Sequence, residues 1–320
     1  MTIQLAEHVR AGGASRVRLD FVVCPAHHGA TLLSLLLNNH SLVSALGDTV
    51  PTRSYDQVCA CGARVSGCAF WQTVVDELNV PAQAPYEMLL PAVPLSFHGM
   101  ARRWPPVNRR LNGFVRKVIV TLSRGGVPGS DRAAGALFGD FADLYLRFYE
   151  LVRQLHGTTV VVDGSKEQRK IEAIAAALRD RADIRVIHVV RDPRGFAASM
   201  IRKDRPNWSV ERVASRWNRM HSQALRLPSL GRYELVRYED LCAAPEPTMA
   251  RVLQFLDVPT EDVVGPPRWP EKHHLMGNKM LFEFDGRIAH DERWRTELTP
   301  RQQDAVRKRT AALARRFGYE

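Results

Sequence analysis

RVIHVVRDPRGFAAS, residues 185–199, is the stretch on which the fold turns. An apolar run, Val186 to Val190, stops at Arg191, Asp192 and Pro193, and a small-residue pattern of helical spacing continues to Ser199. That is the form of a buried parallel strand feeding a helix whose first turn holds the proline. Pro193 has no N–H to leave unsatisfied there, and Asp192 is a good N-cap. The turn aims Arg191 and free backbone N–H groups at one point beyond the strand, with the Ser199 hydroxyl nearby. Such a point suits an anion, most naturally a phosphate. Standing alone, the stretch would be read as an Asp-Pro cap on an ordinary βα turn with a solvated arginine.

Upstream, RVRLDFVVC (16–24) reads as a first strand and ATLLSLLLNNH (30–40) as a helix that is apolar on nearly every side. Between them lies PAHHGATLL, residues 25–33, a strand–glycine loop–helix sequence able to cradle a phosphate with backbone N–H groups. It lacks the G-x-x-x-x-G-K-S/T spacing of a Walker loop, and a tight βα turn is its bland alternative. Further along come a short apolar step at Leu42–Leu46, a helical pattern over roughly 136–156, the strand TTVVVDG and a helix from Ser165. A strand over 233–237, the amphipathic EPTMARVLQFLDV and a last helix capped by Thr299 and Pro300 complete the pattern. Strands alternating with helices predict an α/β fold: a central parallel sheet flanked by helices on both faces. Residues 1–320 read as one domain, and the Pro-, Gly- and Arg-rich stretch at about 80–135 reads as an insertion.

The chain has 320 residues, 45% of them hydrophobic, and a formal charge of +11. Lysine and arginine are spread along it without an arginine-rich tail or a zinc-finger or RNA-binding pattern, so small anionic molecules rather than nucleic acid are the expected partners. No signal-peptide core and no run of membrane-span length is present, which predicts a soluble cytoplasmic protein. Five cysteines, an odd number, argue against a disulfide framework.

Six segments in order resemble the sulfotransferase family that uses 3′-phosphoadenosine-5′-phosphosulfate (PAPS), in its bacterial and tyrosylprotein-like branch. That family's opening loop, R/K-S-G-T-S/T-L, binds the 5′-phosphosulfate and appears here as His27, His28, Gly29, Ala30, Thr31 and Leu32. Its R-D-P-R element, with a serine eight residues past the arginine, grips the 3′-phosphate and is matched by Arg191 and Ser199. VVVDGSK resembles the strand ending in D-S-K type sequences, RYEDL with Tyr238 the Y-E-D-L segment, and CACGARVSGCAFW a cysteine-rich segment of bacterial members. MGNKM and DERWRTEL resemble the C-terminal region that closes over the nucleotide, which implies roles for Arg287, Trp294 and Arg295.

The resemblance implies a P-loop-like nucleotide-binding architecture and transfer of a sulfonate from PAPS to a hydroxyl of a small molecule, an amine being second choice. Adenosine 3′,5′-bisphosphate would be the product. It places Lys166 beside the leaving phosphate and Asp48, where glutamate is usual, as the base, with His27 or His28 as alternatives. The loop departs from the pattern: histidines replace its cation and one hydroxyl residue. A histidine there becomes a cation only when a nearby anion raises its pKa. The alternatives are therefore a protein that binds nucleotide without transferring sulfonate, or one using another phosphoryl or sulfuryl donor. No metal is expected. The C-x-C-x6-C spacing of Cys59, Cys61 and Cys68 lacks a fourth ligand, with His40 and Cys24 as nearby candidates, and buried thiols packed by Phe70 and Trp71 are the better reading.

Overall fold

The structure, a computed structural model, describes residues 16–48, 58–78, 118–268, 272–275 and 280–319. Its strands are β1 (Val17–Val23), β2 (Val43–Gly47), β3 (Val160–Asp163), β4 (Ala182–Val190) and β5 (Arg232–Arg237). They form one parallel sheet in the order β2-β3-β1-β4-β5. β1 is central and pairs along its whole length with β4, from Val17 against Ala182 to Val23 against His188. β4 continues past that register, so Arg191 emerges clear of the β1 end. After β3 the chain crosses β1 to reach β4, and ligands of such sheets collect at the carboxyl ends near this reversal.

The helices that cover the sheet are α1 (Ala30–Asn38), α2 (Ala69–Glu77), α3 (Ser130–His156), α4 (Gln168–Leu178), α5 (Pro193–Lys203), α6 (Val210–Ala224), α7 (Pro245–Phe255) and α8 (Pro300–Arg316). Side chains alternate along a strand, and here both faces are apolar. Leu19, Phe21 and Val23 of β1 pack on one face with Trp71, Phe138, Tyr145 and Ile174. Val22 packs on the other with Leu33, Leu36, Val252 and Leu253. A third cluster, including Phe196, Trp217, Val306 and Phe317, joins α5, α6 and α8. Each large side chain so buried contributes about 1.5–3 kcal/mol, enough to hold the strand ends that carry the site.

The expected α/β fold is observed, and the two proline-marked helix starts are as read. The Asp192 side chain accepts from the Arg194 N–H ahead of Pro193, and Thr299 and Gln302 form a capping box around Pro300. Two boundaries differ. The helix expected from Ser165 starts at Gln168, because Asp163 accepts from the Ser165 N–H at 2.7 Å and holds residues 164–167 as a loop. The stretch expected as insertion overlaps α3, whose Ala134 is fully buried; residues 118–124 are also helical, and 80–117 lie outside the described residues.

Candidate active site

The carboxyl ends of the strands open onto a cavity of about 660 Å³. It is lined by residues 25–32 after β1, Lys166 after β3, Arg191 and Ser199 after β4, Tyr238 after β5, and residues 287–293. This size is ordinary for a small-ligand site. Two of the four non-glycine residues with positive φ among the described residues, His27 (65°) and Lys166 (63°), line it. Such backbone strain costs about 1–3 kcal/mol and gathers at working sites.

Gly29 is the N-cap of α1, at φ 87°, and no side chain caps the helix. Its left-handed backbone disfavours any other residue, and an added Cβ would meet Tyr238 Cδ2 at 2.6 Å. The N–H of Leu33 bonds back to Gly29, leaving those of Ala30, Thr31 and Leu32 ahead of the intrahelical ladder and facing the cavity. Three such donors at the positive end of a helix are an arrangement suited to an anion.

Arg191 ties this loop to the rest. It is 5% exposed, lies over the Tyr238 ring at 4.5 Å, and donates through one guanidinium nitrogen to the His27 carbonyl (2.8 Å) and Ser199 Oγ (3.4 Å). Its other terminal nitrogen donates to the Asp291 carbonyl at 3.0 Å and faces the Asp291 carboxylate at 3.3 Å. Paired hydrogen bonds from Arg293, reinforced by Arg191, hold that carboxyl below the usual range. Arg202 reaches Ser199 Oγ at 3.4 Å and Asp291 at 3.7 Å. Sequence reading missed Arg202 and Asp291; Arg202 stands one helical turn beyond Ser199, the one signal that could have found it.

The two histidines separate in role. His27 Nε2 lies 3.0 Å from Asp204. Burial pushes its pKa down and Asp204 offsets this only in part, so the ring is poised to gain a proton only when further negative charge arrives. His28 is 1% exposed, with Nδ1 3.0 Å from the Ala26 carbonyl and Nε2 3.0 Å from His221 Nε2. His221 Nδ1 in turn meets His188 Nε2 at 2.8 Å, and His188 Nδ1 meets the Tyr233 hydroxyl.

A carbonyl only accepts, so His28 Nδ1 carries its proton and Nε2 must accept. The same logic fixes each neutral ring in turn: His221 donates to His28, His188 to His221 and Tyr233 to His188. Burial drives the pKa of His28 and His221 well down and that of His188 to about 3. The expected role of His28 as base or titrating cation meets a ring whose two nitrogens already have protein partners.

Asp48 follows β2 and adjoins the cavity-lining Lys166, with its carboxylate 3.7 Å from Lys166 Nζ and its N–H bonded to the Leu275 carbonyl at 2.9 Å. The neighbouring lysine, Lys170, is fully buried and bonds Asp163 and Ser165 Oγ, fixing the loop that presents Lys166. Arg287 lines the cavity but its side chain is 91% exposed and faces Asp285 at 3.5 Å. Trp294 is buried in the third cluster between the guanidinium groups of Arg194 (4.1 Å) and Arg295 (4.6 Å); neither Trp294 nor Arg295 lines the cavity. Arg295 pairs with Glu292 at 2.8 Å. Of MGNKM, residues 276–279 lie outside the described residues.

The cysteines also depart from expectation. Cys59 and Cys68 are buried against Trp71 and Phe70 as read, but His273, 205 residues beyond Cys68, brings the fourth ligand atom that the spacing lacked. Cys24 is buried in the second face of the core, and the His40 ring bonds the Pro259 carbonyl at 2.8 Å; neither belongs to this group.

A family model described as "Sulfotransferase family" matches residues 21–262, and the chain belongs to that family. Human carbohydrate sulfotransferase 1 is 26% identical over 199 residues, which are 49% of this chain and 47% of that one. The mouse protein of the same name is 25% identical over 237 residues, 61% and 54% of the two chains. The chain thus spans about half the length of these curated relatives. Among solved structures, the sulfotransferase domain of the curacin biosynthetic pathway is 15% identical with a TM-score of 0.49, covering 96% of this chain and 99% of that one. The sulfotransferase domain of the Synechococcus PCC 7002 olefin synthase is 17% identical with a TM-score of 0.46, covering 97% and 98%. Among the described residues no helix is long and apolar enough to cross a membrane.

Proposed function

We propose that this sulfotransferase-family chain takes a sulfonate from PAPS and transfers it to a hydroxyl of a small molecule, with sugars the first class to test given the carbohydrate sulfotransferases among its relatives. The observation that carries this reading is the Arg191 guanidinium. It joins the Ser199 hydroxyl to the loop at the α1 N-terminus, so both groups line one cavity around a single cation, which supports two anion sites there. In this reading Arg191, Ser199 and Arg202 hold the 3′-phosphate. The N–H groups of residues 30–32 hold the 5′-phosphosulfate, and Tyr238 packs against the turn at Gly29.

The strand ends then supply the chemistry. Lys166, 3.7 Å from Asp48, neutralises the oxygen that departs with the nucleotide, and the Asp48 carboxylate takes the acceptor's proton. His27 gains a proton as the phosphosulfate charge enters and supplies the cation that the opening loop otherwise lacks. The commitment of both His28 nitrogens favours one second reading, a protein that binds the nucleotide without transferring from it.

Calorimetric titration with adenosine 3′,5′-bisphosphate, followed by radiolabelled transfer from PAPS to a panel of sugars, phenols and amines, tests both. Binding with transfer, and an Asp48→Asn variant that binds normally but turns over about 10²–10⁴-fold more slowly, supports the first. Binding with no transfer to any acceptor supports the second. Absence of bisphosphate binding removes both.

A further inference from the structure

Cys59, Cys61, Cys68 and His273 bring three sulfurs and one imidazole nitrogen within 4.8 Å of one another. Cys59 Sγ and Cys68 Sγ each lie 3.2 Å from His273 Nδ1, and Cys61 Sγ lies 3.7 Å from Cys68 Sγ. Zinc bonds of about 2.3 Å to sulfur and 2.0–2.1 Å to nitrogen give tetrahedral edges of about 3.5–3.8 Å, the spacing these atoms approach without rearrangement. We propose that these four residues bind a structural zinc ion, a site separate from the active-site cavity.

The surroundings are those of a ligand set. The turn from Cys59 to Ala63 is closed by backbone bonds, Cys59 N–H to Ala63 O and Gly62 N–H to Cys59 O, both 2.9 Å. The His273 ring is held flat against Phe70, centroids 4.4 Å apart and planes 4° apart, with Nδ1 turned to the sulfurs. Cys59 and Cys68 are buried and Cys61 is exposed, so the ion has an entry path. Binding releases the three thiol protons to solvent while the neutral His273 adds through Nδ1.

Four protein ligands leave no open position, which marks a structural rather than a catalytic ion. What it would hold is the edge of the sheet. Leu275, two residues past His273, bonds through its N–H to Leu46 O at 2.8 Å and through its carbonyl to the Asp48 N–H at 2.9 Å, while the Ala60 N–H bonds His274 O. The ion would therefore pin residues 272–275 between the cysteine turn and the end of β2.

The test is the metal content of the full chain purified under reducing conditions without chelator, read by elemental mass spectrometry, with cobalt(II) replacement as a spectroscopic check. About one zinc per chain is expected. Cobalt should give tetrahedral ligand-field bands with near-ultraviolet thiolate charge transfer. Cys61→Ser, at an exposed position, and His273→Ala should each lose most of the metal, and His273→Cys should retain it. Removal of the ion should speed hydrogen exchange at the Leu275 and Asp48 amides. Any of three results overturns the proposal: less than about a tenth of an equivalent of zinc with no tetrahedral cobalt spectrum, iron in its place, or unchanged zinc in both loss variants.

Discussion

Mild acid should unfold this protein through its buried histidine chain. The folded pKa of His188 lies at about 3, against an ordinary value of 6.5, because burial opposes its charge; His28 and His221 are displaced the same way. The unfolded chain then binds more protons than the folded one below pH 6.5. The histidines' contribution is fully present above that pH and is lost as pH falls towards 3. For one such group the linked loss between pH 7.5 and pH 5 is about 2 kcal/mol, and for the three together the ceiling is about 6 kcal/mol. That compares with a total stability of about 5–15 kcal/mol for an ordinary domain.

Urea unfolding followed by tryptophan fluorescence at several pH values measures the loss. The decisive comparison is with a His188→Leu/His221→Leu double variant. Two titrating groups are gone, so its stability should change less than wild type over the same interval, by at least the contribution of His188, about 2 kcal/mol. Carboxylates and the histidines outside the chain contribute equally to both proteins and cancel. An identical change with pH in the two proteins would refute the neutral, one-directional chain.

Asp291→Asn should tighten binding of adenosine 3′,5′-bisphosphate about 5–30-fold at low salt. An incoming phosphate about 5 Å from this carboxylate meets some 3 kcal/mol of repulsion, which three nearby guanidinium groups reduce to about 1–2 kcal/mol; calorimetry showing weaker binding would contradict this. Because an anion raises the His27 pKa, which burial holds below its ordinary value in the free protein, nucleotide affinity should fall as pH rises past that lowered value, and His27→Arg should preserve or tighten binding while flattening that profile. Lys170→Met strands the buried Asp163 carboxylate and should cost about 3–5 kcal/mol, a melting temperature lower by about 5 °C or more in calorimetry. Gly29→Ala should weaken bisphosphate binding more than tenfold. Gly157→Ala, at φ 63° with nothing within 4 Å, should leave it unchanged in the same titration.

The parts of this molecule that were legible in its sequence are those written in contiguous residues. The β4–α5 turn announces itself because strand, cap and proline follow one another, and the order of segments was enough to identify the family. The histidine chain was not legible, since His28, His188 and His221 are supplied by a loop, a strand and a helix, and only packing makes them partners. His273 is hidden from the cysteines in the same way. Lys170 shows the limit most clearly: on a helix a lysine reads as solvated, and only the Asp163 carboxylate beneath it explains its complete burial.

Arg191 has a thermodynamic consequence beyond its contacts. One guanidinium touches both the loop at His27 and the segment at Asp291, so an anion that draws on it at one end alters what the other end must reorganise. Coupling of this kind is reciprocal: in the proposed reading, whatever a 3′-phosphate would contribute to binding at the 5′ loop, an occupied 5′ loop would return to the 3′ site. A nucleotide carrying both groups should then bind with a free energy different from the sum for its two halves, and that difference would be the energy stored in a single side chain.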